Sequence, residues 1–561
     1  MLPIFSLKPA ERLKLERVVA YTATLAAMAL VLLFARKNWL TNDDIGMAMI
    51  TGGYGITAVP TAGVVFSNVV WGWLLAHLPV IAGIEPYTLL TYAALLGSAA
   101  AILLALHRSG APVLLGCSVV VVTFVPVLIT PQFTFTAGYL AVAGLAVLLA
   151  WKDAPGRVHL WVAAALLLAA GLIRALEFLF VLGVSAPFLI AQWRSLPHRR
   201  WLAVALALLV LLGTAHLIDM HYYAATDWTQ FQGMNRVRTA FTDYRLKSYF
   251  DAYPDSLAGA PVSDTDLGMI SNWFYADPKV FDPANFQPLV HAVDWGQRLS
   301  LNLGSRGQWL VLLRDQTFLL CGAVLLLSLA LLRRSIRPAL VSLGLLLAAV
   351  ILLQALGRAG MTRVYLPAMA AMALLYLMSA RDPTRSGMTE AGALAMAAAL
   401  FLTLYGAYPR VQGVEHQTAA LDKALCSLPQ EPLWVVWGNP SFPYQMLYRP
   451  GSQAHPHCAP QMYSLGSMQL APFELDTVRR HTGAPDLVSA LRGGKEIYLF
   501  TDPRRLSLLQ DYFAVHYKTA LIAEQKLEML HLQVYALHAG GAATATPRPA
   551  AADGQDDDTG G

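Results

Sequence analysis

Two adjacent carboxylates stand a few residues beyond the first apolar segment, in the sequence NWLTNDDIGMAM. Asp43 and Asp44 repel each other when both are ionised, so one of them is expected to have a raised pKa. A carboxyl group of that kind suits general acid–base chemistry. The structural alternative is a solvated loop that starts a helix, with Asn42 or an aspartate as its N-cap.

Two other clusters place arginine beside apolar segments. In GLIRALEF, Arg174 and Glu177 are flanked by apolar residues, and ionisable groups at membrane depth are usually paired or functional. In GRAGMTRVYLP, Arg358, Arg363 and Tyr365 stand at the entrance of an apolar segment. Arginine binds phosphate through a planar fork and stays charged. The alternatives are an i,i+3 ion pair in the first cluster and an interfacial anchor in the second.

A fourth cluster, SDTDLGMISNWFYADP, combines carboxylates with aromatic rings, as sugar-binding sites do. Its polar and aromatic members are Asp264, Asp266, Asn272, Trp273 and Asp277. A solvated loop is the favoured interpretation here. The run HPHC carries His455, His457 and Cys458, which are metal-binding residue types, but a loop that holds a disulfide cysteine explains it better.

The motifs of several other enzyme classes are missing. The sequence has no Walker loop, GxGxxG after a strand, HExxH, CxxC pair or GxSxG. These absences argue against an ATP-driven pump, a zinc protease and a serine hydrolase. With 56% hydrophobic and 13% charged residues, the chain falls far below the roughly 25% charge of soluble proteins. Its net charge of +5 predicts no nucleic-acid partner, because Lys and Arg lie mostly beside apolar runs.

Eleven apolar segments approach the roughly 20 residues that cross a bilayer as a helix, which predicts an all-α polytopic membrane protein. They are Val18–Ala35, Pro86–Leu106, Pro112–Thr130, Phe133–Trp151, Val158–Ile173, Leu176–Gln192, Trp201–Ile218, Trp309–Leu332, Pro338–Leu356, Val364–Ala380 and Met388–Tyr408. The first is too long for a typical signal peptide and lacks a cleavage site, so we expect it to be retained.

The apolar stretch Val64–Ile84 decides the orientation. If it does not span, the cytoplasmic segments carry 15 Lys and Arg and the short outer connections carry 5. If it spans, most of this positive-inside bias is lost. We therefore predict a re-entrant or interfacial helix on the outer face, with Trp71, Trp73 and His77 at headgroup level. The N-terminus is then cytoplasmic and the C-terminus outside.

The run Val158–Gln192 is predicted to be a helical hairpin. A single helix of that length would measure about 50 Å and would place Arg157 and Arg194 on opposite sides. A turn near Arg174 and Glu177 on the outer side solves both problems.

The predicted domains are a cytoplasmic tail (1–17), a transmembrane domain (18–408) with outer loops 36–85 and 219–308, a small extracytoplasmic α/β domain (409–539) and a disordered tail (540–561). Helical patterns in the α/β domain are His416–Leu428, Asp486–Leu491 and Arg504–Phe513. Strand patterns are Leu433–Gly438, Glu496–Thr501 and Met529–Leu537. A disulfide between Cys426 and Cys458 is a hypothesis that depends on this outer location.

Together these residues resemble the GT-C superfamily of membrane glycosyltransferases, which includes lipid A aminoarabinose transferases and protein O-mannosyltransferases. Members have an acidic motif after the first helix, an amphipathic outer-face helix, a hairpin with a basic outer turn, and an entrance helix that often reads RxYxxP. The matching places here are Asp43 and Asp44, Val64–Ile84, Arg174, and Arg363, Tyr365 and Pro367.

The resemblance covers roughly Val18–Tyr408 and departs from the pattern in two places. Many relatives have Asp-Glu in the first loop, where this chain has Asn-Asp-Asp. Some have a second acidic residue after the third helix, where this chain has TPQFT. The α/β domain has no counterpart in the resemblance.

The resemblance implies sugar transfer from a polyprenyl-phosphate carrier, a membrane lipid, to a glycan, lipid or protein acceptor at the outer face of the bacterial cytoplasmic membrane. Asp43 or Asp44 would be the base, and Arg174 and Arg363 would stabilise the leaving phosphate. Further substrate-binding candidates are Asn42, Glu177, Asp266, Arg358 and Tyr365. No cofactor is implied, although the reaction is compatible with a divalent metal.

Three alternatives stay open at this point. A polymerase or ligase of surface polysaccharide would share the carrier and the large outer loop. A transporter would favour inverted repeats and helices broken at mid-membrane by Gly or Pro, and the sequence indicates neither. A non-catalytic assembly factor for envelope glycans would act through the α/β domain.

Overall fold

The structure is a computed structural model that describes most of the chain. The described residues are 9–153, 156–195, 198–331, 336–379, 417–438, 442–451, 461–529 and 532–542. The predicted last span, Met388–Tyr408, lies outside these ranges, as do His455, His457 and Cys458.

Helices make up the described chain as far as residue 379. The first nine are α1 (Pro9–Phe34), α2 (Asn42–Gly52), α3 (Val69–His77), α4 (Pro86–Ser109), α5 (Val113–Ile129), α6 (Phe133–Ala150), α7 (Arg157–Ile173), α8 (Ala175–Ala191) and α9 (His198–Tyr223). Nine more follow: α10 (Thr229–Thr242), α11 (Lys247–Ala252), α12 (Asp264–Ser271), α13 (Pro283–His291), α14 (Trp295–Gly304), α15 (Gly307–Arg314), α16 (Gln316–Leu331), α17 (Arg337–Ala355) and α18 (Thr362–Ser379).

Six of these helices are long and apolar enough to cross a membrane, and a bent pair would make a seventh. The six are α1, α4, α6, α9, α17 and α18. Three shorter apolar helices, α5, α7 and α8, stand where three more spans are predicted. The multi-pass architecture is confirmed, whereas the number eleven stays a prediction.

The segment Trp309–Leu332, predicted as one helix, is broken. Asp315 leaves the helical backbone (φ −74°, ψ 105°) between α15 and α16, and the helices on either side differ in direction by 76°. Its carboxylate accepts a hydrogen bond from the Phe318 N–H at 2.9 Å. An aspartate in this place starts a new helix, because its side chain satisfies a backbone donor that a continuous helix would not expose.

Helix α6 lies at the centre of the helical part and packs against α4, α7, α8 and α18. Small residues bring it close to its neighbours. A Cβ at Gly138 would lie 2.4 Å from Pro367 of α18, and one at Gly144 would lie 2.6 Å from Leu167 of α7. Membrane helices associate through such close contacts, since lipid supplies no hydrophobic drive between them.

Helix α3 accounts for the ambiguous stretch Val64–Ile84. It has 9 residues, or roughly 13 Å of rise, which is too short to cross a bilayer. Asn68 caps its first turn, and the Val69 N–H donates to Asp219 of α9 at 2.7 Å. Apolar side chains stay exposed on and after it, including Trp73 and Val80. The helix in this stretch is thus shorter than a span, and its place on the outer face stays a prediction.

The segment 219–308, predicted to be an outer loop and called the outer loop below, shows no clear regular pattern in sequence. The structure nevertheless folds it into five short helices, α10 to α14. Ser263 and Asp266 form a capping box at the start of α12. Aromatic packing supplies much of the interior, as where Phe281 stacks on Phe286 at 5.5 Å. The loop therefore has a core of its own.

The C-terminal region is a five-stranded mixed sheet with helices. Its strands are β1 (Leu433–Trp437), β2 (Met462–Leu465), β3 (Ile497–Phe500), β4 (Thr519–Met529) and β5 (Leu532–Ala542), in the order β2-β1-β3-β5-β4. The helices are α19 (417–426), α20 (Tyr444–Leu447), α21 (Pro472–Thr482), α22 (Leu487–Arg492) and α23 (Pro503–Tyr517). β1 pairs parallel with β2 and β3, and β5 pairs antiparallel with β3 and β4.

The three predicted strands and three predicted helices of this region are found, but the sequence missed β2, β4 and α21. The sequence of β4, TALIAEQKLEM, is rich in good helix formers, and pairing with β5 overrides that preference. β5 runs to Ala542, three residues into the predicted tail. Cys426 is disulfide-bonded, and Cys458, its predicted partner, lies outside the described residues.

Candidate active site

The first acidic motif forms the start of α2. Thr41, with extended backbone (φ −132°, ψ 155°), precedes the helix, and Asp43 and Asp44 occupy its first turn, where the helix dipole favours negative charge. The helix ends at Gly53 in the left-handed conformation (φ 74°), and the Gly53 N–H bonds to the Met49 carbonyl. The backbone of this motif therefore forms the start of a helix, as the structural alternative in the sequence analysis predicted.

Asp44 is fully buried, and hydrogen bonds occupy both of its oxygens. The Thr41 hydroxyl donates at 2.8 Å, the Tyr87 hydroxyl at 2.8 Å and the Phe133 N–H at 2.9 Å. Burial raises the pKa of Asp44 to about 7, against the lowering effect of these donors. This carboxyl group ties α2 to the first turns of α4 and α6.

Asp43 is in different surroundings. Its side chain is only partly buried, and nothing in the described part of the chain donates a hydrogen bond to it. Burial raises the pKa of Asp43, whereas the positive charges of Arg363, Arg174 and Arg238 lower it. The charges of arginines from three different parts of the chain thus reach this carboxylate.

Arg174 stands between α7 and α8 as a single residue with extended backbone (φ −154°, ψ 93°). The predicted interruption of the run Val158–Gln192 is therefore found at this residue. One guanidinium nitrogen donates to the Phe66 carbonyl at 3.1 Å, and the group lies 5.3 Å from the centre of the Phe133 ring. Phe133 also bonds to Asp44, so the arginine and the acidic motif meet at the start of α6.

Glu177 does not form the i,i+3 ion pair that was the structural alternative for Arg174. The Glu177 side chain is 3% exposed, and its Oε1 atom has no hydrogen-bond partner in the described structure. Within the described ranges, no salt bridge joins the two side chains. Arg174 is thus left with a backbone carbonyl and an aromatic ring as its neutral contacts.

The third cluster surrounds the start of α18. Arg363 lies in the first turn of α18. Among the charged residues that lower the pKa of Asp43, Arg363 has the largest effect. Arg358 lies 3.9 Å from the Asp243 carboxylate and 5.1 Å from the centre of the Tyr244 ring. Tyr365 is fully buried and donates to the Ala359 carbonyl at 3.1 Å, which closes the turn before the helix.

Arg238, on α10 of the outer loop, is a site residue that the sequence interpretation missed. It is 4% exposed, donates twice to Asn235 Oδ1 at 3.0 and 2.6 Å, and lies 3.8 Å from Asp243. Asp243 thus stands between Arg238 and Arg358. The only signal in the sequence is NRVRT, a basic pair inside a loop of 90 residues, which reads as a solvated face.

The remaining predicted residues are placed as follows. Asn42 Oδ1 is buried and, in the portion described, makes no hydrogen bond. Asp266 is 2% exposed, and its carboxylate accepts from Ser263 and contacts His516 Nε2 at 2.7 Å. Its oxygens are therefore engaged within the outer loop and with α23.

A small cleft of about 50 Å³ opens beside the start of α18. Its lining combines apolar side chains with Thr130, Asp315, Thr317 and Thr362. Thr362 directly precedes Arg363, so the cleft adjoins the turn of α18 that carries Arg363. Over the described ranges, no group of three or more His, Cys, Asp or Glu is arranged to hold a metal ion.

The chain is similar to two crystal structures of ArnT from Cupriavidus metallidurans. The apo-state structure has a TM-score of 0.39 and 11% identity, over 93% of this chain and 98% of that chain. The structure bound to undecaprenyl phosphate has a TM-score of 0.35 and 12% identity, over 93% and 97%. No family model and no curated protein matches the chain.

Proposed function

We propose that this chain is a membrane glycosyltransferase that moves a sugar from a polyprenyl-phosphate carrier to an acceptor hydroxyl. One observation carries the proposal: Asp43, partly exposed at the start of α2, accepts no hydrogen bond from the described residues, and the charges of Arg174, Arg238 and Arg363 reach it. A carboxylate can take the proton of a hydroxyl nucleophile, and a surplus of fixed positive charge beside it can stabilise a phosphate leaving group in the same place.

In the proposed reaction the acceptor oxygen attacks the anomeric carbon of the sugar while Asp43 takes the hydroxyl proton. The bond between that carbon and the phosphate oxygen breaks, and the phosphate leaves with the bonding electrons. Arg174 and Arg363 stabilise the charge that develops on it. Because arginine stays protonated, this stabilisation does not depend on pH in the physiological range.

The three hydrogen bonds that Asp44 accepts favour a positioning role for it. They fix the first turn of α2 against α4 and α6, and so fix the place of Asp43. Asn42, Glu177, Arg358 and Tyr365 surround or support this region in the proposal. The observed contacts of Asp266 support a role in holding the outer loop instead.

The proposal places this site at the outer face of the bacterial cytoplasmic membrane, with the N-terminus inside and the α/β domain outside. The distribution of Lys and Arg in the sequence supports that orientation. The acceptor is a glycan, lipid or protein hydroxyl, and no nucleotide is needed because the carrier already holds an activated sugar.

The test is a transfer assay on the full chain in nanodiscs, with undecaprenyl-phosphate-linked sugars as donors and an envelope extract as the source of acceptor. Undecaprenyl phosphate is the ligand in one of the two ArnT structures, which makes it the first carrier to test. We expect transfer by the wild type and none by Asp43→Asn.

Asp476→Asn is the matched control, since this exposed aspartate of α21 only pairs with Arg479 and Arg480. Wild-type transfer by Asp43→Asn, or failure of the wild type to use any polyprenyl-phosphate sugar, would overturn the proposal. Products that carry many added sugars instead of one would indicate the polymerase alternative.

A further inference from the structure

Trp273 has a backbone conformation that side chains of its size rarely adopt. It follows α12 with φ at +64°, in the left-handed region. The Trp273 N–H bonds to the Ile270 carbonyl at 3.0 Å, and the Phe274 N–H bonds to the Met269 carbonyl at 2.9 Å. These two bonds define a Schellman motif with Trp273 at the position where glycine is usual, because a Cβ there is strained.

The α/β domain holds this strained turn from the other side. Gln469 is fully buried, its Nε2 donates to the Trp273 carbonyl at 2.7 Å, and its Oε1 accepts from the Tyr275 N–H at 3.1 Å. Trp437 Nε1 of β1 donates to the Asn272 carbonyl at 2.6 Å. Three side-chain bonds from another part of the chain therefore fix the peptide groups around one tryptophan.

The Trp273 ring is only partly buried, and it lies next to Arg238. The Arg238 guanidinium stands 5.0 Å from the ring centre, and the charge of this arginine reaches Asp43. Backbone strain that the surrounding structure enforces is typical of functional sites. An indole ring offers a broad apolar face, against which the C–H face of a sugar ring can pack.

We propose that Trp273 is the platform on which the sugar of the carrier packs, and that the α/β domain, through Gln469 and Trp437, positions it. The inference rests on the proposed glycosyltransferase function and assigns the C-terminal region a part in the site. Asp43 and the arginines would then serve the reacting atoms and the phosphate, while Trp273 would recognise the sugar.

The test separates the ring from the backbone. Trp273→Gly removes the indole but suits the left-handed turn, so the chain should stay folded with an unchanged or higher melting temperature. We expect bare undecaprenyl phosphate to bind this variant within twofold of wild type. A panel of undecaprenyl-phosphate-linked pentoses and hexoses should show roughly tenfold weaker binding of the sugar that the wild type prefers.

Trp295→Ala is the matched control. Trp295 lies in the same outer loop and has an arginine, Arg298, 4.9 Å from its ring centre, but it is 50% exposed at the start of α14. It should leave the binding of both ligands unchanged. Trp273→Phe should retain part of the preference for the sugar-bearing carrier.

Gln469→Glu tests the positioning role, because it keeps the side-chain shape while it replaces the amide donor. It should reduce the preference for the sugar-bearing carrier, and combining it with Trp273→Gly should add no further loss. The inference is overturned, and the proposed function kept, if Trp273→Gly weakens both ligands equally or neither. If the wild type binds no polyprenyl phosphate at all, both are overturned.

Discussion

Asp43 and Asp266 lie in two different regions of the molecule, and they differ in what surrounds their carboxylates. At the mouth of the helix bundle, Asp43 meets the charges of three arginines and accepts no hydrogen bond within the described structure. At the contact between the outer loop and the α/β domain, Asp266 contacts Ser263 and His516, and nearby Asp277 accepts from Tyr512 and Tyr517.

The difference teaches how to tell a reactive carboxylate from a structural one. A carboxylate whose lone pairs are filled by neutral donors from its own fold has little capacity left for a substrate. One that lies near fixed cations and lacks such donors can exchange a proton, and the surplus of cations beside it can attract an anion. Both kinds occur here beside aromatic residues, so composition alone does not separate them.

The largest expected effect comes from substituting the two aspartates in parallel. Asp43→Asn should lower turnover roughly 10²- to 10⁴-fold, the range for loss of a general base, with little change in melting temperature. Asp266→Ala should lower turnover less than tenfold but reduce stability by about 1–3 kcal/mol, because His516 and Ser263 lose a buried acceptor. Turnover per folded molecule and thermal unfolding measure both, and equal effects in the two variants would remove the distinction.

An intermediate effect is expected at the arginines. Arg174→Lys and Arg363→Lys keep the charge but lose the planar fork, so binding of undecaprenyl phosphate should weaken roughly 10- to 100-fold. Arg479→Lys, at an exposed arginine of α21, should change nothing. Because Arg174 and Glu177 form no salt bridge, Glu177→Gln should not rescue Arg174→Ala. Rescue, or unchanged binding in every arginine variant, would contradict the phosphate role.

A pH dependence of stability is expected at Asp44. Its pKa rises from 3.8 to about 7 on folding, so the folded state holds the proton more tightly than the unfolded state does. Its contribution to stability is therefore present at low pH and is lost as the pH rises through about 7. The free energy of unfolding should fall by up to about 1.4 kcal/mol per pH unit relative to Asp44→Asn. Melting curves of both proteins between pH 5 and 8 check this, and a constant difference would refute it.

Local sequence patterns were sufficient for much of the architecture. Long apolar segments predicted helices that the structure contains, and an arginine inside the run Val158–Gln192 predicted the break found there. The hexamers LWVVWG and EIYLFT predicted β1 and β3. Local patterns failed at Asp315, where a single acidic side chain interrupts an apolar run. They also failed at β4, where pairing with a neighbouring strand outweighs helix propensity.

The sequence by itself determined that Asp43 and Asp44 follow the first apolar segment and that arginines stand at two helix entrances. Only the tertiary structure decided which aspartate accepts hydrogen bonds from the described residues and which accepts none. Successive residues of a helix point about 100° apart, so packing against α4 and α6 buries Asp44 and leaves Asp43 facing the arginines. Arg238 and Trp273 lie 195 and 230 residues beyond Asp43 in the chain. They contact each other because the outer loop is folded, and Gln469 of the α/β domain binds the Trp273 backbone.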